Sequence, residues 1–167
     1  MKPPSESLTE MVQVVLPNDA NPLGYILGGT VMHLIDIAAA IAAHRHARLQ
    51  LVTAAVDGLQ FLHPIKVGDL IVLQARVNAT FRTSLEVEVQ VYSEEILTGR
   101  RQLTSHAFLT FASVEHEGRR PAVPPLALES EEDRTRAAAA AERRAARLAR
   151  RAREAEAIKP LVARPSV

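Results

Sequence analysis

Five segments of the chain are rich in β-branched and other apolar residues, a composition that predicts β-strands. They cover residues 8–16, 51–61, 69–81, 84–92 and 101–114. The fourth segment alternates most clearly, because apolar residues from Leu85 to Val91 occupy every second position and polar residues stand between them. The links between the last four segments are short and turn-like, so we expect antiparallel neighbours.

A single long helix is predicted within this series of strands. Residues 30–48 contain no glycine or proline and run long enough to favour a helix over a strand. Their apolar residues reach nearly all the way round the helix, which predicts burial on most sides. One central helix set against about five antiparallel strands indicates an α+β fold in which the sheet wraps around the helix.

The last part of the chain predicts a helical extension. We place a main domain at residues 1–125 and a proline-linked extension rich in Ala, Arg and Glu at residues 126–167. Ser130 with Asp133 resembles a capping box at the start of the extension's helix. Because this helix has almost no large apolar residues, we expect it to be solvated and salt-bridged. The eight arginines of residues 134–153 also suggest an RNA- or partner-binding appendage, but acidic residues interleave and aromatic residues for base stacking are absent.

Composition excludes several classes of function. The net charge of +1 argues against a general nucleic-acid surface, and the absence of cysteine excludes disulfides, a thiol nucleophile and thiolate metal sites. The first seven residues are not expected to form a signal peptide, because no apolar run follows the lysine. The apolar stretch at residues 34–43 is far shorter than the roughly 20 residues that cross a bilayer. We therefore expect a cytoplasmic protein without a membrane or nucleic-acid partner.

Three features near the start of the helix could carry chemistry. Asp36 is the helix's single carboxylate, and its burial would require either a partner, such as His33 or the backbone, or a reactive role. Gly28 and Gly29 precede the helix, where free N–H groups could stabilise an oxyanion, although glycines also simply shape loops. Asn21 lies in the preceding loop, where asparagine commonly serves a turn.

Together these features closely resemble the signature of hotdog-fold acyl-CoA thioesterases. The matching residues are Asn21-x-x-Gly24-x-x-x-Gly28-Gly29-x-x-Met32-x-x-x-Asp36. Further matches follow in register: Val52-Thr53-Ala54-Ala55-Val56-Asp57, Phe61-x-x-Pro64-Ile65-x-x-Gly68-Asp69 and Arg82-Thr83-Ser84-Leu85. The resemblance covers about residues 9–114, not the extension, and is to the branch that includes bacterial YciA-type and mammalian brain-type acyl-CoA hydrolases.

This resemblance implies a hotdog fold, two subunits that pair their sheets, active sites at the dimer interface and assembly into a hexamer of three dimers. Asp36 would be the general base or nucleophile, Asn21 of the facing subunit would position water or the thioester, and the Gly28–Gly29 backbone would polarise the thioester carbonyl.

The resemblance also implies residues that bind the acyl-CoA substrate. The turn at Arg82, Thr83 and Ser84 would contact coenzyme A phosphates, or alternatively be a solvated hairpin turn. Thr53 and Phe61 would line the substrate site. No metal or cofactor is implied beyond the coenzyme A of the substrate.

Two other functions compete with this prediction. The fold also serves acyl-CoA-binding and dehydratase-like proteins without thioesterase activity, but His63 does not stand in a hydratase motif. A metal hydrolase built on His33, Asp36, His44 and His46 is disfavoured, because positions 44 and 46 do not face each other on a helix. We expect the remaining histidines, His106 and His116, to be surface residues.

Overall fold

The computed structural model describes residues 1–162 and forms one antiparallel sheet with a helix on each face. The strands are β1 (Thr9–Val14), β2 (Leu51–Phe61), β3 (Leu70–Thr80), β4 (Ser84–Glu94) and β5 (Arg101–Ser113). The helices are α1 (Gly28–Ala47) and α2 (Glu131–Val162), and the last five residues of the predicted extension lie outside the described part. The predicted α+β fold is confirmed, with α1 beginning two residues earlier than the pattern indicated.

The strand order places β2 at one edge of the sheet. The order is β1-β3-β4-β5-β2, with every pair antiparallel. The expectation that consecutive strands pair holds for β3, β4 and β5 but is wrong for β2, which pairs with β5. The segment after β2 is instead bound by the loop before α1, because Ile26 N donates to Ile65 O and Val67 N donates to Gly24 O.

One side of α1 packs into the core and the other side stays open. The core side is formed mainly by small and branched apolar residues: Val31, Leu34, Ile35, Ala38, Ala39, Ala42, Ala43 and Ala47. On the opposite side, Met32 is 47% exposed and Ile41 is 37% exposed. The expected burial on most sides is therefore wrong for the single chain, because the sheet covers only one side of the helix.

The edge strand β2 also leaves apolar surface uncovered. Val52, Val56 and Phe61 are each about half exposed, and within residues 1–162 the strand pairs on one side only. Unpaired edge strands with apolar side chains are favourable sites for pairing with another chain. The open side of α1 and the edge of β2 together form a surface that a second subunit could cover.

Helix α2 crosses the face of the sheet opposite α1 and contacts it through charged side chains. Its sheet-facing residues recur every three or four positions: Asp133, Arg136, Ala140, Arg143 and Arg147. Their partners are, in order, Arg76 of β3, Glu88 of β4 and, beyond the buried Ala140, Glu86 of β4 and Asp57 of β2. The predicted helix and its ion pairs are confirmed, but the expectation that it stands in solvent is wrong on this face.

The start of α2 follows the predicted capping box. Asp133 N donates to Ser130 Oγ at 3.0 Å, and Ser130 N donates to Asp133 Oδ2 at 3.1 Å. Because these bonds satisfy amides that have no partner inside the helix, they fix where α2 begins. Neither helix of the described chain is long and apolar enough to span a membrane.

Glu88 makes the contact between α2 and the sheet sensitive to acid. Burial opposes ionisation of its carboxyl, but hydrogen bonds from His106 and Asn78 and the charge of Arg136 outweigh burial and lower its pKa to about 2. Because the pKa of Glu88 is lower in the folded than in the unfolded protein, its ionised carboxylate stabilises the fold. This contribution is complete above the pKa of the unfolded state and is lost as the pH falls through the pKa of the folded state.

We expect Glu88→Gln to be less stable than the native protein by up to about 3 kcal/mol at pH 7. Below about pH 5 the difference should shrink, and it should vanish near pH 2, because the native protein loses the contribution that the variant already lacks. Urea unfolding of both proteins at a series of pH values measures this. A difference that stays constant between pH 5 and pH 2 contradicts the prediction.

Candidate active site

Asp36 lies in the third turn of α1, on the open side of the helix, and its partner is Thr53. Thr53 Oγ1 donates to Asp36 Oδ1 at 2.6 Å. Asp36 therefore has a hydrogen-bond partner, as one of its two interpretations required. That partner is Thr53 of β2, and not His33 or the backbone. The bond holds one carboxylate oxygen and leaves Oδ2 able to accept a proton.

A β-bulge in β2 turns Thr53 toward Asp36. Thr53 pairs with Phe111 while Ala55 pairs with Thr110, so the register shifts between these residues. The shift puts Thr53 on the α1 side of the sheet and Asp57, four residues later, on the α2 side. There Asp57 accepts from Arg147 at 2.6 Å, so it lies on the face opposite Asp36.

The two glycines form the first turn of α1 and serve different purposes. Leu27, the residue before the helix, provides no side-chain cap, and Val31 N donates to Leu27 O at 3.1 Å. The Gly28 and Gly29 amides therefore precede the first bond within the helix. A Cβ on Gly28 would lie 3.3 Å from the Phe61 ring, whereas a Cβ on Gly29 would meet open space. Gly28 thus permits packing of Phe61, and Gly29 leaves room for another molecule.

Asn21 shares a cavity with the start of α1. The cavity has a volume of about 340 Å³, and its lining includes Gly28, Phe61, His63 and Ile65. Asn21 Oδ1 accepts hydrogen bonds from Leu23 N and Tyr25 N, and within residues 1–162 its Nδ2 group donates none. The carbonyl of Asn21 therefore shapes the turn, as expected for asparagine, and its amide N–H groups remain free.

Asp36 opens onto a different surface. Its groove runs along the open side of α1 past Ile37, Ile41 and His44, with a volume of about 440 Å³. Asp36 lies eight residues after Gly28, which is roughly 12 Å along the helix axis. One chain therefore brings Asn21 to Gly28 and Phe61, and brings Asp36 to Thr53, but holds the two groups apart.

The turn at Arg82, Thr83 and Ser84 lines neither of these two cavities. Ser84 pairs with Ala112 and Leu51 with Ser113, so this turn lies at the end of the sheet nearest the C-terminus of α1. Its backbone is held by bonds from Val123 N to Arg82 O and from Ser113 N to Thr83 O. The Arg82 side chain is exposed.

The histidines do not assemble into a metal centre. His44 Nδ1 lies 2.7 Å from Ala40 O, while the buried His46 points the other way, with Nε2 2.7 Å from Pro124 O. Among residues 1–162, no three His, Cys, Asp or Glu side chains come close enough to hold a metal ion. The His106 side chain is 35% exposed, as expected for a residue near the surface, and its Nε2 lies 2.8 Å from Glu88 Oε1.

The chain matches known sequences over its central part. A family model described as the thioesterase superfamily matches residues 23–99. The uncharacterized acyl-CoA thioester hydrolase YkhA of Bacillus subtilis is 38% identical over 128 residues, which are 77% of this chain and 74% of that protein. The human cytosolic acyl coenzyme A thioester hydrolase is 34% identical over 134 residues. These residues are 79% of this chain but only 35% of the human protein.

Solved structures are similar over nearly the whole chain. The acyl-CoA hydrolase of Staphylococcus aureus, in complex with butyryl coenzyme A, coenzyme A and coenzyme A disulfide, has a TM-score of 0.88 and 35% identity. That similarity covers 97% of this chain and 99% of the other, so it extends into α2, beyond the predicted resemblance. The same enzyme is also solved with single alanine substitutions of an asparagine, an aspartate and a threonine.

A further similar structure is an apo-hexameric acyl-CoA thioesterase, with a TM-score of 0.84 and 39% identity over 91% of this chain and 99% of that one. The fold, the family model and the YkhA match agree with one another. The chain therefore belongs to the hotdog-fold acyl-CoA thioester hydrolases.

Proposed function

We propose that this acyl-CoA thioester hydrolase uses Asp36 to convert acyl-CoA and water into a free fatty acid and coenzyme A. As a general base, Asp36 Oδ2 takes a proton from water while the water oxygen attacks the thioester carbonyl carbon. The carbon–sulfur bond then breaks, and the sulfur leaves with a proton as the thiol of coenzyme A. Asp36 can alternatively attack the carbonyl carbon itself, which expels coenzyme A as its thiolate and forms a mixed anhydride; water then hydrolyses the anhydride to the fatty acid and the free Asp36 carboxylate.

The observation that carries this proposal is the Thr53–Asp36 hydrogen bond in the open groove of α1. Thr53 fixes the carboxylate at 2.6 Å, so its free oxygen has a defined direction. Fixed geometry matters because a catalytic group must lie within hydrogen-bond reach of the proton it accepts.

The separations along the chain between Asn21, Asp36 and Thr53 support the same assignment. The asparagine, aspartate and threonine replaced in the Staphylococcus aureus enzyme are separated by 15 and 17 residues. The same two separations divide Asn21 from Asp36 and Asp36 from Thr53 in this chain. The equal separations favour equivalent positions for the three residues of this chain.

The remaining groups of the site come from a second subunit in this proposal. The thioester carbonyl must lie within a few ångströms of both the base and the oxyanion donors. The Gly28 and Gly29 amides of the same helix are roughly 10–12 Å from Asp36 along the helix axis, which is too far. Asn21 and Gly28 line one cavity, so a facing subunit could supply both beside Asp36. There the Gly28–Gly29 backbone would polarise the carbonyl, and Asn21 would position water or the thioester.

The surface of the chain supports pairing of two subunits. The half-exposed edge of β2 and the open side of α1 offer apolar surface next to both parts of the site. Pairing of the β2 edges would extend the sheet into the partner. Because a similar acyl-CoA thioesterase is hexameric, we propose that these dimers assemble into a hexamer.

Substrate recognition and location complete the proposal. The exposed Arg82, with Thr83 and Ser84, would contact the phosphates of coenzyme A, since a guanidinium group suits phosphate geometry. Phe61 would line the acyl side of the site from its place against Gly28. The scheme uses no metal or cofactor. The cytosolic name of the human relative supports a cytoplasmic location.

A thiol-release assay with short, medium and long acyl-CoA substrates tests the activity. We expect coenzyme A to be released from at least one of them at a rate proportional to enzyme concentration. A protein that binds coenzyme A in calorimetry but releases no thiol from any substrate contradicts the proposal and favours a binding protein of the same fold.

A further inference from the structure

The middle of α2 is anchored on the strand that carries Thr53. Arg147 Nη1 donates to Asp57 Oδ2 at 2.6 Å, and each side chain is only 14% exposed. Arg150 adds a longer contact to the other carboxylate oxygen at 3.4 Å. A shielded ion pair of this geometry is screened little by solvent, so it restrains the two backbones more strongly than a surface pair does.

The strand needs such a restraint more than its neighbours do. The pairing of β2 with β5 shifts register twice, between Thr53 and Ala55 and again between Asp57 and Gln60. Only the short stretch from Ala55 to Asp57 pairs regularly between the two shifts, and Gly58, which follows, has a φ of +65°. Register is weakly specified where a ladder is short and interrupted. The Arg147 contact therefore holds β2 at its least regular point.

We infer that Arg147 is a positioning residue, which acts through Asp57 and the β2 bulge to place Thr53 against Asp36. This inference rests on the proposed role of Asp36. Asp57 and Thr53 project to opposite faces of the same strand, so a displacement of the strand at one moves the other. When Arg147 is lost, the Thr53 hydroxyl shifts and the Asp36 carboxylate loses its fixed direction.

Steady-state kinetics of Arg147→Ala test the inference. Because a small misplacement of a catalytic group costs rate more than binding, we expect kcat to fall about tenfold with KM within about twofold of native. Arg147→Lys keeps the charge and should recover part of this loss. Arg151→Ala removes an exposed arginine of the same helix and is the matched control, with native kinetics expected.

A double substitution separates positioning from a general loss of structure. If Arg147 acts through Thr53, then Arg147→Ala should lower kcat no further in a Thr53→Ala background. An equal loss in both backgrounds, or native kcat in Arg147→Ala, overturns the inference.

Hydrogen exchange provides a test that needs no turnover. Peptides covering residues 51–61 should exchange faster in Arg147→Ala than in Arg151→Ala, while peptides from β3 and β4 stay unchanged. Equal exchange of β2 in the two variants also overturns the inference. Absence of thiol release by the native protein would instead count against the proposed function, and the exchange result would still decide whether α2 restrains β2.

Discussion

Replacing Asp36 with alanine is expected to lower kcat about a thousandfold, with little change in KM. The variant keeps the fold, because Asp36 stands on the open side of α1 and alanine is a strong helix former. It loses the group that accepts the proton of water or attacks the thioester. A factor of this size corresponds to about 4 kcal/mol of transition-state stabilisation. Thiol release under saturating acyl-CoA measures the effect.

Two variants control for causes other than chemistry. Asp36→Asn keeps the size of the side chain but accepts a proton poorly, so it should be impaired nearly as much as the alanine variant. Glu142→Ala removes an exposed carboxylate of α2 and should leave kcat unchanged. If Asp36→Ala retained more than about a tenth of native kcat, a loss smaller than general-base catalysis normally supplies, Asp36 would not be the base or the nucleophile.

Replacing Arg143 with alanine is expected to cost about 3–5 kcal/mol of stability, the range typical for breaking a buried ion pair. Glu86 is 1% exposed, and its carboxylate accepts bonds from Arg143 Nε and, at 2.7 Å, from Arg143 Nη2. The guanidinium group also lies 3.6 Å from the centre of the Phe108 ring. The variant leaves a buried carboxylate without its partner and removes this cation–π contact. Urea unfolding at pH 7 measures the loss.

A double substitution tests whether the ion pair accounts for this loss of stability. Replacing both Glu86 and Arg143 with leucine should return stability to near native, because an apolar pair at this interface needs no charge compensation. Arg153→Ala, an exposed arginine on the same helix, serves as the control and should change stability by less than about 0.5 kcal/mol. If Arg143→Ala loses less than about 1 kcal/mol, as a surface pair would, α2 is held mainly by other contacts.

The strands and α1 could be predicted from the sequence because their signals are local. Alternation of apolar and polar residues predicts β4, and its Leu85, Val87 and Val89 face the core. A long segment without glycine or proline predicts α1. The order of the strands carries no such signal. β2 reaches the far edge of the sheet because the following segment is bound by the loop before α1.

The packing of α2 on the sheet was not predicted from the sequence, because most of the residues that make this contact are charged and not apolar. A sheet-facing stripe is normally recognised by hydrophobic residues at helical spacing. In α2 that spacing is occupied mostly by arginines, and their partners Glu86 and Glu88 stand at the polar positions of an ordinary half-buried strand. Matching the arginine stripe to the acidic stripe of β4 would have been the one available signal.

The site itself could be predicted only in part. The motif resemblance singled out Asp36, Asn21 and Thr53, but not the direct contact between Thr53 and Asp36. That contact depends on a bulge whose position is set by the pairing of β2 with β5, far away in sequence. Asp57 belongs to the same matched segment as Thr53, and the same bulge places the two residues on opposite faces of the sheet.

Mixing two inactive subunits tests most directly whether Asp36 and Asn21 meet across a subunit interface. Asp36→Ala and Asn21→Ala should each be nearly inactive alone. A mixed dimer would contain one site with Asn21 from the first subunit and Asp36 from the second, so random co-assembly should restore about a quarter of native activity. If the co-assembled variants are no more active than the two separate proteins, Asp36 and Asn21 do not form a shared site.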